Sequence, residues 1–222
     1  MSVAAVLLLV RTAAAAETPF SGSSVAVRGR DFVVIAADAT HRRGDLTFSN
    51  VERRGVEAVG PRCVAACVGH PADAAAFAEF VKQNFLAYAF LAGAHPSGRA
   101  AAHWVRRELA DQRRRRRGSM PRLRVMLGSL DAKNAAALHW IDETGAMVEL
   151  PYGAHGAGAP LVLGHLDATY DPDITVDAAV ALVGDCLDRL RKGSAQSVDA
   201  AVIAVLDASG CAKRNWDPPK GA

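Results

Sequence analysis

The sequence predicts an α+β fold stacked as helix layer, sheet, sheet, helix layer. Three observations carry that prediction. The first third of the chain is dominated by apolar residues of period two, two successive stretches of helical period follow, and strands then return ahead of a second helical pair and a last strand. Helices grouped in pairs between blocks of strands are unlike a βαβ alternation, in which each parallel strand is followed by its own crossover helix. The chain has 222 residues, half of them hydrophobic, so it can bury one sizeable core, and no stretch reads as an interdomain linker.

Taken in order, Val25 and Val27 alternate with Ser24, Ala26 and Arg28, and the turn Arg28-Gly29-Arg30-Asp31 follows. Phe32 to Ala37 then run apolar without alternation and end in Asp38. A continuous apolar strand is covered on both faces, which places this hairpin inside a layered structure. Further strands are expected over 52–59 and 63–68, on either side of Gly60-Pro61. Pro71 and Asp73 open a helix in which Phe77, Phe80, Val81, Phe85 and Tyr88 recur at three- and four-residue spacing as one core-facing stripe, and Gly93 ends it. A second helix from about Ser97 buries Trp104, Val105 and Leu109, turns Arg106, Arg107 and Glu108 outward, and closes in Arg113 to Arg117. Strands return at 123–130, 136–142 and 147–150, and a glycine-rich link from Gly153 to Gly158 leads to a helix over 159–168. Asp171-Pro172 breaks that helix, Thr175 caps the next, and 178–190 read as amphipathic. A strand over 200–206 and a turn at Ser209-Gly210 precede a tail whose Pro218 and Pro219 exclude a regular ending.

A charged fraction of 22% and a net charge of +3 lack the basic bias of a dedicated nucleic-acid binder. Cys63, Cys67, Cys186 and Cys211 are too few and too scattered for a disulfide framework, and they follow no zinc-like spacing. A reducing compartment fits them best. The run Val3 to Val10 reads either as a secretory hydrophobic region or as part of an N-terminal extension; no basic residue precedes it and Arg11 follows it directly, which favours the extension. It is far short of the roughly 20 residues that span a bilayer. His70 and His155 neighbour glycines at element boundaries, with no carboxylate or thiol at metal-ligand spacing, so both read as turn or core residues and no metal or cofactor is expected. Gly156-Ala157-Gly158 lacks the G-K-[ST] that would complete a phosphate cradle.

Several runs, in this order, resemble proteasome β subunits. VVIAAD with Gly44 downstream is similar to the family's first hairpin, CVAACVG with His70 and FAEFVKQN to the strand entering the first helix, and RRELADQ to the second helix. YGAHGAGAPLVLGHLDATYDPDIT is similar to the segment holding the glycine-rich turn, the third helix and the start of the fourth. Within the family, FAEF, RRELAD, AHGAGA and LDATYDPDIT are most similar to the non-catalytic type-2 class, the beta-four position of the ring. The resemblance implies a four-layer αββα sandwich of the N-terminal-nucleophile hydrolase type over residues 22–209, with an extension over 1–21 and a tail over 210–222. It also implies assembly with other α and β subunits into a 28-subunit, four-ring 20S core in cytoplasm and nucleus. There, catalytic neighbours carry out ATP- and ubiquitin-dependent protein degradation, and no membrane or specific nucleic acid is expected as a partner.

Active members place a threonine sixteen residues before the aspartate that ends the second strand, and counting back from Asp38 lands on Gly22. Such an enzyme needs a hydroxyl on its first residue, a free α-amine to take the proton, a cation that adjusts the pKa and an aspartate to orient it. Here the family's lysine position is held by Arg54, which cannot exchange a proton near neutral pH, and its serine position by Ala157. The later Asp-x-x-Ser-Gly element corresponds to the unlike run 193–197. Only Asp38 remains, and its structural role is to pair with a cation such as Arg54 or to bind turn amides. The expectation is therefore a non-catalytic subunit. The alternative is an active hydrolase cut at Gly22-Ser23, but Ser23 stands one residue short in register to Asp38, and such a shift turns a strand residue to the opposite face. Arg113 to Arg117 read as cations complementing a helix C-terminus rather than a nucleic-acid patch. His41, Arg42 and Arg43 read as solvated charge in the loop after the first hairpin, with shaping of a neighbour's substrate pocket as the functional alternative.

Overall fold

The computed structural model describes residues 22–43, 46–49, 55–115, 123–193 and 198–218. In it the expected opening hairpin is formed by β1 (Ser24–Arg28) and β2 (Val33–Asp38), with Val25 opposite Ala36 and Val27 opposite Val34. A two-stranded ribbon follows, β3 (Thr40–Arg43) on β4 (Leu46–Ser49). Next come β5 (Val56–Gly60) and β6 (Cys63–Val68), then helices α1 (Pro71–Ala92) and α2 (Gly98–Arg115). The second half comprises β7 (Arg124–Leu130), β8 (Ala136–Ile141), β9 (Met147–Glu149), β10 (Tyr152–His155), α3 (Ala159–Thr169), α4 (Val176–Gly193), β11 (Ala201–Asp207) and β12 (Gly210–Trp216). These strands build two five-stranded antiparallel sheets, ordered β10-β1-β2-β11-β12 and β5-β6-β7-β8-β9.

Alternation sorts the side chains into three apolar layers. Val25, Val27, Val34, Ala36 and Ile203 leave the first sheet on one side and meet Val162, Leu166, Val183, Leu187 and Leu190 of α3 and α4. From its other side Ala26, Val33, Ile35, Val202 and Ala204 meet Val64, Ala66, Met126 and Leu138 of the second sheet. Beyond that sheet Cys63, Ala65, Val125 and Leu127 pack under Phe77, Val81, Phe85, Val105 and Leu109 of α1 and α2. Strands β1 and β2 are thus covered on both faces, as their unalternating apolar run requires. Helix α1 carries Pro at its first turn, where a missing N–H costs nothing. Among the described residues no helix is long and apolar enough to cross a membrane.

Four sequence readings differ from this architecture. His41, Arg42 and Arg43 lie on β3, not in a loop; their strand exists because β4 pairs with it. The glycine-rich link contains β10, whose Gly153 and Ala154 add an edge to β1 through backbone bonding and owe nothing to side-chain propensity. The stretch read as a tail carries β12, which pairs with β11 along its full length and ends just before the prolines. Of the α1 stripe, Phe77, Val81 and Phe85 are buried, whereas Phe80 is 40% and Tyr88 52% exposed. Phe80 rests on Trp104 with ring centroids 5.7 Å apart, on the flank of the helix pair and not beneath it.

Cys63 and Cys67 share one face of β6, and all four cysteines are free thiols. Burial pushes Cys63 up to about 11, and Cys67 and Cys186 up to about 12. At neutral pH these thiols carry almost no thiolate, the form that reacts.

Candidate functional site

The end of the first sheet brings Gly22 against Gly156, 134 positions away in sequence, and Ala39 against Ala200. Gly22 precedes β1 with φ +87°, a conformation that favours glycine. A Cβ there would stand 3.8 Å from the Asp38 Cβ and 4.0 Å from Oδ2. Gly22 and Asp38 are therefore neighbours across the β1/β2 pair, whose last rung is the Asp38 N–H donating to the Ser23 carbonyl at 2.8 Å. Among the described residues only the Asp38 side chain comes within 4 Å of that Cβ position, and Gly22 has no side chain of its own.

Asp38 is half-buried, and its Oδ1 accepts the Thr40 N–H at 2.7 Å, a carboxylate binding the turn that leaves its own strand. The turn is also tied to the strand entering from α4. The Ala39 N–H donates to the Ala200 carbonyl at 2.9 Å, and the Thr40 hydroxyl accepts the Asp199 N–H at 3.3 Å. Gly55 packs here as well, since a Cβ on it would lie 3.0 Å from the Asp38 carbonyl oxygen and 3.0 Å from the Ala37 Cβ. Arg54 and residues 194–197 lie outside the described residues, as do residues 1–21 with their extension or signal reading and Arg116 and Arg117.

From the other edge, β10 delivers Gly156 onto the same end. Its φ is +106°, and a Cβ would fall 2.5 Å from the Gly22 carbonyl oxygen and 2.8 Å from the Ser23 hydroxyl. Only a hydrogen fits between β10 and the start of β1. Sequence reasoning weighed this glycine as part of a phosphate cradle and missed its close approach; the signal was its place directly after the strand YGAH. Ala157, the next residue, is exposed and bears only a methyl. Ser23, the alternative nucleophile, is only 2% exposed and enclosed by this contact.

The two singled-out histidines separate. His70 is the exposed residue capping α1, 4.0 Å from Asp73. His155 is 1% exposed between the sheets, stacked on Trp140 at 4.8 Å, and its Nε2–H donates to the Val125 carbonyl at 3.3 Å. Burial lowers its pKa to about 4, so it is neutral at physiological pH. Its Nδ1 and the hydroxyl of its register partner Ser24 are buried without a hydrogen bond among the described residues. No group of three metal-ligating side chains occurs among the described residues.

Two antiparallel sheets face to face between helix pairs, with the start of β1 set against the carboxylate ending β2, define the N-terminal-nucleophile type of α+β sandwich. Comparison with known proteins agrees: residues 20–206 match the family description "Proteasome subunit", and the chain belongs to the proteasome β-subunit family. It is 30% identical over 203 residues to proteasome subunit beta type-2 of Oryza sativa subsp. japonica, covering 89% of this chain and 94% of that one. It is 29% identical over 185 residues to proteasome subunit beta type-4 of Saccharomyces cerevisiae, covering 83% and 92% respectively. Proteasome subunit beta type-2-B of Arabidopsis thaliana is 29% identical over 188 residues, 85% of this chain and 92% of the relative.

Proposed function

We propose that this chain is a non-catalytic β subunit of the 20S core, a ring member that builds the degradation chamber without cutting peptide bonds itself. The observation that carries the reading is the Gly22–Asp38 pair: the residue set beside the carboxylate is a glycine and has no hydroxyl to attack with. Arg54 and Ala157, at the lysine and serine positions, add two further groups unable to take part in proton transfer. Asp38 then serves the turn at Thr40, which the rest of the domain uses whether or not a nucleophile is present.

The partners under this reading are other α and β subunits in a four-ring, 28-subunit particle of cytoplasm and nucleus, degrading ATP- and ubiquitin-dependent substrates through catalytic neighbours. An assembling role is supported by the C-terminal half of α1, where Leu86, Phe90 and Leu91 are 58%, 88% and 84% exposed. Large apolar side chains in a group on one uncharged helix segment mark a surface that a partner covers.

The test is N-terminal sequencing of the mature chain together with labelling of the assembled particle by an electrophile that acylates N-terminal hydroxyls. We expect a chain whose first residue takes no label while neighbouring subunits do. A chain beginning at Ser23 and carrying the adduct would establish the active-hydrolase alternative in its place.

A further inference from the structure

Helix α2 presents two unlike sides. Towards the second sheet it buries Ala101, Ala102, Val105 and Leu109. Outward, its exposed positions are Arg99, Ala100, His103, Arg106, Arg107, Arg113, Arg114 and Arg115. With about 100° of turn per residue, Arg99, His103, Arg106, Arg107, Arg113 and Arg114 fall in one sector, a cationic strip roughly 22 Å long. The arginines repeat at seven residues, 99, 106 and 113 in one row and 107 and 114 in the next.

Only Arg114 of the strip is neutralised from within. Asp111 pairs with Arg114 at 3.2 Å, while Glu108 turns towards α1 and, with Asp73, Phe77, Phe80 and Leu123, lines a separate cavity. Carboxylates on the strands and loops beside α2 are engaged elsewhere. Glu143 holds Arg124 at 2.8 Å, Asp142 accepts the amides of Thr144 and Ala146, and Glu149 pairs with Arg28. Arg99, Arg106, Arg107 and Arg113 make no ion pair among the described residues, so like charges stand side by side, and of the four only Arg113, in the last turn, complements the helix dipole.

We infer that this face docks an acidic helix of a partner protein, laid along α2 with Asp or Glu side chains at heptad spacing against the arginine rows. Guanidinium forks grip carboxylates in a bidentate manner, and a seven-residue repeat is the period at which a second helix lying alongside returns the same side to the contact. The charge balance favours a short acidic segment over a nucleic acid. Residues 98–117 hold eight arginines against Glu108 and Asp111, a net +6 within a chain of +3, so the remaining 202 residues sum to −3. A duplex running past α2 would meet that net negative remainder. The strip also has no exposed Phe, Tyr or Trp for stacking, because Trp104 is half-buried against Phe80 and Phe85. This inference is independent of whether the subunit is catalytic.

The probe is a fluorescent helical peptide with Glu at heptad positions, titrated by anisotropy into the full chain, kept in solution by Phe90→Gln and Leu91→Gln on α1, alongside its Gln counterpart and a DNA duplex of equal charge. Saturable binding of the Glu peptide is expected, absent for the Gln peptide and weakened by salt. The Arg106→Glu/Arg113→Glu variant should weaken it by about tenfold or more, since charge reversal adds repulsion to the lost attraction. The Arg106→Gln/Arg113→Gln variant should fall between. Because these side chains are solvent-facing, unchanged thermal midpoints would show that folding is intact. Absence of Glu-peptide binding at low salt, equal binding by the folded reversal variant, or tighter binding of the duplex at matched salt would each overturn the assignment, the last in favour of nucleic acid.

Discussion

The interior between the two sheets and the end of the first sheet are made from the same strands, yet they follow different rules. Between the sheets, Val33, Ile35, Met126 and Leu138 lock together and almost every position is occupied. At the Gly22 end, Gly22 and Gly156 carry no side chain and Ala157 only a methyl, and the backbones of β10 and β1 meet directly. The contrast teaches that the sandwich is specified by its alternating apolar pattern and by β10 closing on β1, and that neither depends on the groups a nucleophilic hydrolase uses. Under the proposed non-catalytic reading, the architecture is kept where the chemistry is not.

The comparison breaks most readily from the inside. Gly128 lies where a Cβ would come within 2.8 Å of Val33 Cγ1 and 3.1 Å of Ile35 Cδ1. Gly128→Val should therefore cost about 3 kcal/mol or more by overpacking the intersheet layer, read as a lower denaturant midpoint. A cost below about 1 kcal/mol would show that the sheets part easily there.

Acid should strike the same layer next. Burial lowers the pKa of His155 to about 4, from 6.5 when solvated. The unfolded chain therefore binds a proton that the folded one refuses. Stability is fully present above about pH 6.5 and falls as pH drops towards 4, by on the order of 3 kcal/mol. His155→Phe, which keeps a ring beside Trp140, should flatten the dependence of urea midpoints on pH across that window. Parallel curves for the variant and the parent would sink the attribution.

At the sheet end effects should be smaller. Gly156→Ala forces a methyl against the Gly22 carbonyl at φ +106°, and we expect a loss of about 2 kcal/mol in thermal or urea unfolding. A stability equal to the parent's would mean that β10 can move away from β1 at no cost. Gly22→Thr has room for its side chain beside Asp38 and should cost only about 1 kcal/mol, for the left-handed backbone. That variant should gain no peptidase activity in the assembled particle, because Arg54 and Ala157 still lack the required chemistry. A new, inhibitor-sensitive activity in it would show that one hydroxyl was all the site had lost.

Much of this was legible in the sequence, for a physical reason. The opening hairpin, β6, α4 and the strands β7 and β8 announce themselves through apolar periodicity, because both faces or one full stripe of each is buried. The sixteen-residue spacing of the related motif sets Gly22 beside Asp38, whereas the register of the hairpin brings Ser23 opposite Asp38 and leaves Gly22 one residue further along. What escaped has its cause in tertiary contact. β10 is Tyr-Gly-Ala-His, a poor strand by composition, and exists because β1 offers it a row of free backbone groups. β12 is an edge strand with Lys213, Arg214 and Asn215 exposed, so its apolar alternation is blurred. Phe80 and Tyr88 share the spacing of core residues, but a 22-residue helix lying on a sheet buries only the side it rests on, and period alone does not say how wide that side is.

The uncovered aromatic and leucine side chains near the end of α1 have a consequence for the cell's accounting of parts. A copy made in excess of the proteins that shield Leu86, Phe90 and Leu91 would have nowhere to hide them and should self-associate or be cleared. Supply of this polypeptide must then track that of its companions. Overproducing it alone should yield insoluble material, which Phe90→Gln together with Leu91→Gln would return to solution.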